Sequence, residues 1–151
     1  MKVLLQRVLQ ARVEVANETV GAIGPGLLVF VGVEAGDTGA EIPRLVERVA
    51  GQRIFPEGDR PMNVSLLDTG GELLLVSQFT LAADTSRGRR PGFSGAAPPE
   101  RAAPLFDAFV DACRATLGDP ARVATGRFGA DMQVSLVNDG PVTLLLESPR
   151  S

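Results

Sequence analysis

Residues 132–148, MQVSLVNDGPVTLLLES, decide how the C-terminal part of the chain is built. The first half alternates Met132, Val134 and Leu136 with Gln133 and Ser135, the period-two pattern of a half-buried strand, and the run from Pro141 onward is more uniformly apolar. Between them stand Asn138, Asp139, Gly140 and Pro141, all residues with turn chemistry. The stretch therefore predicts two strands joined at Gly140-Pro141. Yet a hairpin would be served by Asn-Gly or Asp-Gly followed by a residue whose amide can pair, and proline has no amide to offer. The Gly-Pro pair asks for a reason beyond turning the chain.

Working outward, the remaining elements supply a sheet and its cover. Residues 2–9 and 11–15 read as strands. Turn residues in ANETVGAIGPG separate them from LLVFVGV (27–33), and together these segments suggest a β-meander. After Asp37-Thr38, the residues Ile42, Leu45, Val46 and Val49 recur at helical spacing, with Pro43 in the first turn and Gly51 as a stop. The segment GQRIFPEGDRPMNVSLLDTGG (51–71) reads as irregular, and ELLLVSQFTLA (72–82) as one continuous apolar strand, buried until Ser77 and ending in polar groups. Past Pro98-Pro99, an apolar stripe of Ala102, Leu105, Phe106, Phe109, Val110 and Cys113 marks a second amphipathic helix ending at Gly118. The expected fold class is α/β of the α+β kind: one domain over 1–151, a mostly antiparallel β-sheet or small barrel, and two main amphipathic helices.

Composition removes most reaction classes. The chain has 151 residues, 44% of them hydrophobic, which suffices for one sizeable core, and no apolar run approaches the roughly 18–20 residues of a membrane span. MKVLLQRV meets Gln6 and Arg7 too early for a signal peptide, so a cytoplasmic location is expected. With no histidine and a single cysteine, the sequence lacks the usual general base, the commonest metal ligand and any internal disulfide, so neither metal nor cofactor is expected. Cys113, on an apolar helix stripe, reads as packing rather than as a nucleophile.

Two places remain chemically unusual. The strand end SQFTL (77–81) offers the hydroxyls of Ser77 and Thr80, the Gln78 amide, and backbone N–H groups at Phe79 and Thr80 where the strand stops, which is the material of an oxyanion hole. Thr80 or Ser77 would act as a nucleophile only with a proton acceptor, and the sequence supplies few beyond carboxylates such as Asp131. The loop DTSRGRRPGFSGAAPPE (84–100) gathers Arg87, Arg89 and Arg90 beside Phe93. It reads either as a solvated surface or as a local anion-binding patch, although the net charge of −3 argues against wholesale nucleic-acid coating.

LLQRV (4–8), VSQFTLAAD (76–84) and FGADMQVSLVNDGPVT (128–143) together resemble the D-aminoacyl-tRNA deacylase family over essentially the whole chain. The specificity lies in the pairing of SQFTL with NDGPVT some sixty residues later. The resemblance implies a cytoplasmic homodimer that hydrolyses the ester of D-aminoacyl-tRNA, and of glycine mischarged on tRNA-Ala, without a metal or cofactor. It assigns the catalytic strand end to Ser77, Gln78, Phe79 and Thr80. By similarity Gly140 and Pro141 form a cis peptide that enters the partner subunit's pocket as a chiral gate, and Arg7 holds that segment. Phe79, Phe93 and Met132 are candidates for apolar contact with the terminal adenine of tRNA. A rigid backbone filling the direction of an L side chain would reject every L-amino acid at once and would leave glycine unopposed. A related branch with a trans Gly-Pro edits L-alanyl-tRNA, and a non-catalytic RNA-binding dimer is the alternative of a different class.

Overall fold

The computed structural model describes residues 1–149. Strand β1 (Lys2–Val15) turns at Ala16 and Asn17, both with positive φ (49° and 66°), into β2 (Glu18–Ile23). A two-residue connection with both central residues left-handed matches the right-handed twist of the flanking strands. β3 (Gly26–Gly32) continues the same arm: Ala11 pairs with Ile23, Val8 with Gly26 and Lys2 with Gly32. The expected meander is thus one long hairpin, interrupted at Gly24-Pro25, where proline cannot donate to the ladder.

Helix α1 (Ile42–Gly51) begins with Pro43 in its first turn, as its periodicity predicts. The stretch read as irregular contains more order: a hairpin of β4 (Phe55–Glu57) and β5 (Arg60–Val64), then a single turn of helix, α2 (Leu66–Thr69). Ser65 and Asp68 cap that turn reciprocally, and Gly70 closes it at φ 71°. β6 runs from Glu72 only to Ser77, not to residue 82; Phe79–Ala82 form a 3-10 turn instead. The chain folds over there because Gly32 of β3 leaves room. A Cβ at Gly32 would stand 2.9 Å from both the Gln78 carbonyl oxygen and Leu81 Cβ. Helix α3 (Pro99–Leu117) ends at left-handed Gly118, and β7 (Val123–Thr125) and β8 (Gln133–Glu147) complete the fold.

β3, β6 and β7 are parallel, while β1 pairs antiparallel with β2, β3 and β8. Gly21 of β2 packs on the Thr125 carbonyl of β7, a position no Cβ could share, so the mixed sheet curls nearly into a barrel. Both faces of β3 and β6 are buried, which explains their continuous apolar sequences. Leu27, Val29, Leu73 and Leu75 pack under α1 and α3 with Phe106 and Phe109, whereas Leu28, Leu74 and Val76 point inward to Val8 and Val13. Cys113 is fully enclosed in the helix-side core, and burial pushes its thiol up to about 12, so it remains a packing residue.

β8 overturns the expected pair of C-terminal strands. Both of its halves pair with β1 and neither with the other: Gln133–Asn138 run opposite Glu14–Val8, and Thr143–Glu147 opposite Gln6–Lys2. Between the pairs Gln6↔Thr143 and Val8↔Asn138, β1 advances by Arg7 alone while β8 accommodates Asp139, Gly140, Pro141 and Val142. Gly140-Pro141 therefore forms a bulge extruded from a continuous strand pair.

Candidate active site

Because β3 and β6 are parallel, their carboxyl ends arrive together, and the ladder stops where Gln78 N–H donates to the Val31 carbonyl at 2.8 Å. Beyond this point opens a cleft of about 640 Å³. Its walls are Ser77, Gln78 and Phe79 from the end of β6, Phe106 from α3, and the segment Phe128–Met132 leading into β8. Crevices at the carboxyl ends of parallel strands are where open sheets commonly receive ligands, since the backbone groups there have no further strand to pair with.

The next two amides, of Phe79 and Thr80, have no acceptor among the described residues. The Gln78 side chain donates through Nε2 to the Thr80 hydroxyl. Ser77 and Gln78 are half-buried, whereas Phe79 and Thr80 are exposed. Phe79 meets Phe93 edge-on at the mouth, with ring centroids 5.2 Å apart and planes at 64°. Met132 lies on the opposite wall beside Asp131, the one ionisable residue lining the cleft. Deeper in, Phe106 and Phe128 form a second aromatic pair at 6.3 Å. Sequence periodicity assigns Phe106 to the core stripe of α3, and it serves there and in the cleft at once.

Of the predicted site residues, Ser77, Gln78, Phe79, Phe93 and Met132 share this cleft, and Thr80 adjoins it through Gln78. Arg7, Gly140 and Pro141 do not line it. They form a second constellation at the bulge. Arg7, its side chain 11% exposed, donates through Nε to the Asp139 carbonyl and pairs with the Asp139 carboxylate, both at 3.1 Å; its Nη1 reaches the Ile54 carbonyl at 2.6 Å. Asn138, which sequence reading placed only in a turn, clamps the bulge from the other side. Its Nδ2 donates to the Arg7 carbonyl at 3.0 Å and to the Val142 carbonyl at 3.1 Å. Held at both ends, Gly140 and Pro141 project exposed, and the peptide bond between them is cis. The signal for Asn138 in the sequence was its position two residues before glycine, with a side chain suited to bonding nearby backbone.

Among the described residues no group of three or more His, Cys, Asp or Glu side chains is arranged to hold a metal ion, and no helix is long and apolar enough to cross a membrane.

Comparison with known proteins agrees with this geometry. Residues 4–147 match the family model described as D-Tyr-tRNA(Tyr) deacylase. The chain is 58% identical to a D-aminoacyl-tRNA deacylase of Methylococcus capsulatus, across 99% of this chain and 95% of that relative. It is 60% identical to one of Stenotrophomonas maltophilia, across 97% and 99%. Among solved structures, one described as c-Myc DNA unwinding element binding protein superposes with a TM-score of 0.94 at 39% identity, covering 99% of this chain and all of that one. A probable eukaryotic D-amino acid tRNA deacylase shares the fold, with a TM-score of 0.85 at 21% identity, across 96% of this chain and 97% of that one. A match spanning both the strand end at 77–80 and the bulge at 138–143 leaves one conclusion: the chain belongs to the D-Tyr-tRNA(Tyr) deacylase family.

Proposed function

We propose that this chain hydrolyses the ester that joins a D-amino acid to the 3′ end of tRNA, in the cytoplasm and as a homodimer. The observation that carries this reading is the pair of acceptor-free amides at the strand end, Phe79 on the wall of an apolar cleft and Thr80 beside it. In the reaction, water adds to the ester carbonyl, its oxygen becomes a tetrahedral oxyanion, and the bond to the ribose oxygen breaks as that oxygen takes a proton. Two backbone donors fixed at a strand end and left without a protein acceptor stabilise the oxyanion without reorganising, an effect commonly worth about 2.7–4 kcal/mol per donor. The aminoacyl ester is intrinsically reactive. The vicinal 2′-hydroxyl of the terminal ribose therefore suffices to activate water in a site without histidine, and positioning supplies most of the acceleration.

Selectivity is assigned to the Gly140-Pro141 bulge of the partner subunit. In its own protomer the bulge is exposed and lies away from the cleft. β1 and β8 also carry large apolar side chains in the open: Leu9 (54% exposed), Val137 (42%) and Leu145 (51%). A two-fold contact through these strands would cover them and carry the bulge to a neighbouring cleft. Backbone carbonyls there accept from the α-ammonium of the substrate and occupy the space an L side chain would need. Glycyl-tRNA, with no side chain, passes the same gate.

Incubation with D-Tyr-tRNA, L-Tyr-tRNA and Gly-tRNA tests the reading. The D-ester and the glycyl ester should be cleaved and the L-ester spared, with activity per protomer falling as the protein is diluted below its dimer dissociation constant. Cleavage of L-alanyl-tRNA in preference would assign the chain to the other editing branch. Binding of tRNA with no cleavage would leave a non-catalytic RNA-binding dimer.

Thr80 separates two mechanisms. Its hydroxyl accepts from Gln78, and among the described residues no other side chain hydrogen-bonds it. Thr80→Val should therefore keep most of the activity. Loss of a true nucleophile costs on the order of a thousandfold or more, as for a serine-protease triad, and a loss of that size would replace substrate-assisted hydrolysis with covalent catalysis.

A further inference from the structure

The loop between β6 and α3 contains features that the hydrolytic site does not use. Asp84 and Gly92 exchange backbone hydrogen bonds, with Asp84 N–H donating at 2.7 Å and Gly92 N–H at 2.9 Å, so residues 85–91 form a closed excursion. Every residue from 84 to 95 is exposed. Arg87, Arg89 and Arg90 sit in the excursion, and among the described residues none of them forms a salt bridge or a side-chain hydrogen bond. Arg7, Arg12, Arg53, Arg101 and Arg122 are each engaged by carboxylate, carbonyl or amide groups. Arg44, Arg114 and Arg127 also lack such bonds among the described residues, but they are separated in the sequence, whereas Arg87, Arg89 and Arg90 share one short loop. The one acidic residue of the loop, Asp84, is occupied locally: its carboxylate accepts from the Ser86 N–H at 2.9 Å, and bonding to Ser86 holds its pKa below the usual carboxylate value. Three free guanidinium groups thus stand together on a chain whose net charge is −3.

Their placement identifies the anion. The hinge Asp84-Gly92 leads directly into Phe93, which lines the cleft mouth and packs edge-on against Phe79. A polynucleotide whose 3′-terminal ester lies in the cleft and leaves past Phe93 carries its preceding phosphates over this rim. We infer that Arg87, Arg89 and Arg90 bind the backbone phosphates of the tRNA acceptor end upstream of the terminal adenosine. Guanidinium groups suit that task because their forked donors match phosphate oxygens, and a loop without internal ion pairs has none to break on binding. The inference rests on the proposed tRNA substrate. It adds the element that distinguishes a whole tRNA from its terminal aminoacyl-adenosine.

The triple variant R87A/R89A/R90A tests it, measured on the intact dimer against the parent chain. Each phosphate contact contributes about 0.7–0.9 to the slope of log binding constant against log salt, so loss of three should flatten the slope for deacylated tRNA by about 2. KM for D-Tyr-tRNA should rise about tenfold or more near 0.1 M salt, while kcat and the hydrolysis of D-tyrosyl-adenosine remain at the parent level. The triple lysine variant R87K/R89K/R90K should keep most of the slope. An unchanged slope and KM would overturn the assignment, and so would an equal loss on D-tyrosyl-adenosine, which would place the effect in the cleft itself. A parent protein that binds tRNA with this slope but leaves D-Tyr-tRNA intact would refute the deacylase reading and leave the loop assignment standing.

Discussion

Replacing Gly140 by alanine should lower kcat/KM for D-Tyr-tRNA by about a hundredfold, the scale on which misplacing a positioning group by about an ångström is felt. A Cβ added at Gly140 would lie 2.7 Å from Asn138 Oδ1. That oxygen belongs to a side chain held by its own amide between the Arg7 and Val142 carbonyls, so it cannot swing aside without releasing the bulge. The backbone at residues 139–142 must shift, and with it the surface that the proposed dimer would offer to a partner's cleft. Of the buried core only Val142 adjoins the change, and the strand pairing on either side of the bulge does not pass through it, so the circular dichroism spectrum should stay close to that of the parent. The measurement is the pair of hydrolysis rates on D-Tyr-tRNA and L-Tyr-tRNA. Parent-level rate and parent-level discrimination together would show that the bulge has no part in the reaction.

The second large effect is expected at Arg7, where stability and activity should fall together. Its guanidinium ties β1 to the Asp139 carbonyl and carboxylate and to the carbonyl of buried Ile54. Arg7→Ala leaves the Ile54 carbonyl without that donor, which costs about 1–3 kcal/mol. For a chain of this length each kcal/mol lowers Tm by about 2–4 °C. Activity on D-Tyr-tRNA should drop about a hundredfold as the bulge loses its inner support. Arg7→Lys separates the contributions. A single ammonium can meet Asp139 but does not span to Ile54 with a fixed fork, so it should recover part of the activity and little of the stability. Thermal denaturation beside the deacylation rate distinguishes these outcomes, and an Arg7→Ala protein with parent Tm and rate would contradict both roles.

Local patterns made much of the fold readable. Ile42, Leu45, Val46 and Val49 define α1, and the stripe from Ala102 to Cys113 defines α3, because helical periodicity depends only on neighbours three and four residues apart. The end of the buried run at Ser77 and the irregularity at Gly140-Pro141 were likewise written in the residue types. What lay beyond the sequence was the choice of partner for each strand. Val134 and Leu144 carry strand patterns that fit pairing with each other as well as pairing with β1, and only the register of Val8 against Asn138 and Gln6 against Thr143 turns an expected hairpin into a bulge. The turn at 78–81 likewise depends on Gly32, a residue far away in sequence that leaves space for it. The cleft follows the same logic: strand-end amides at Phe79 and Thr80 could be anticipated locally, but Phe106, Phe128 and Met132 become its walls only when α3 and the approach to β8 pack beside β6. Residue chemistry determined which groups were available, and long-range strand pairing decided which of them meet.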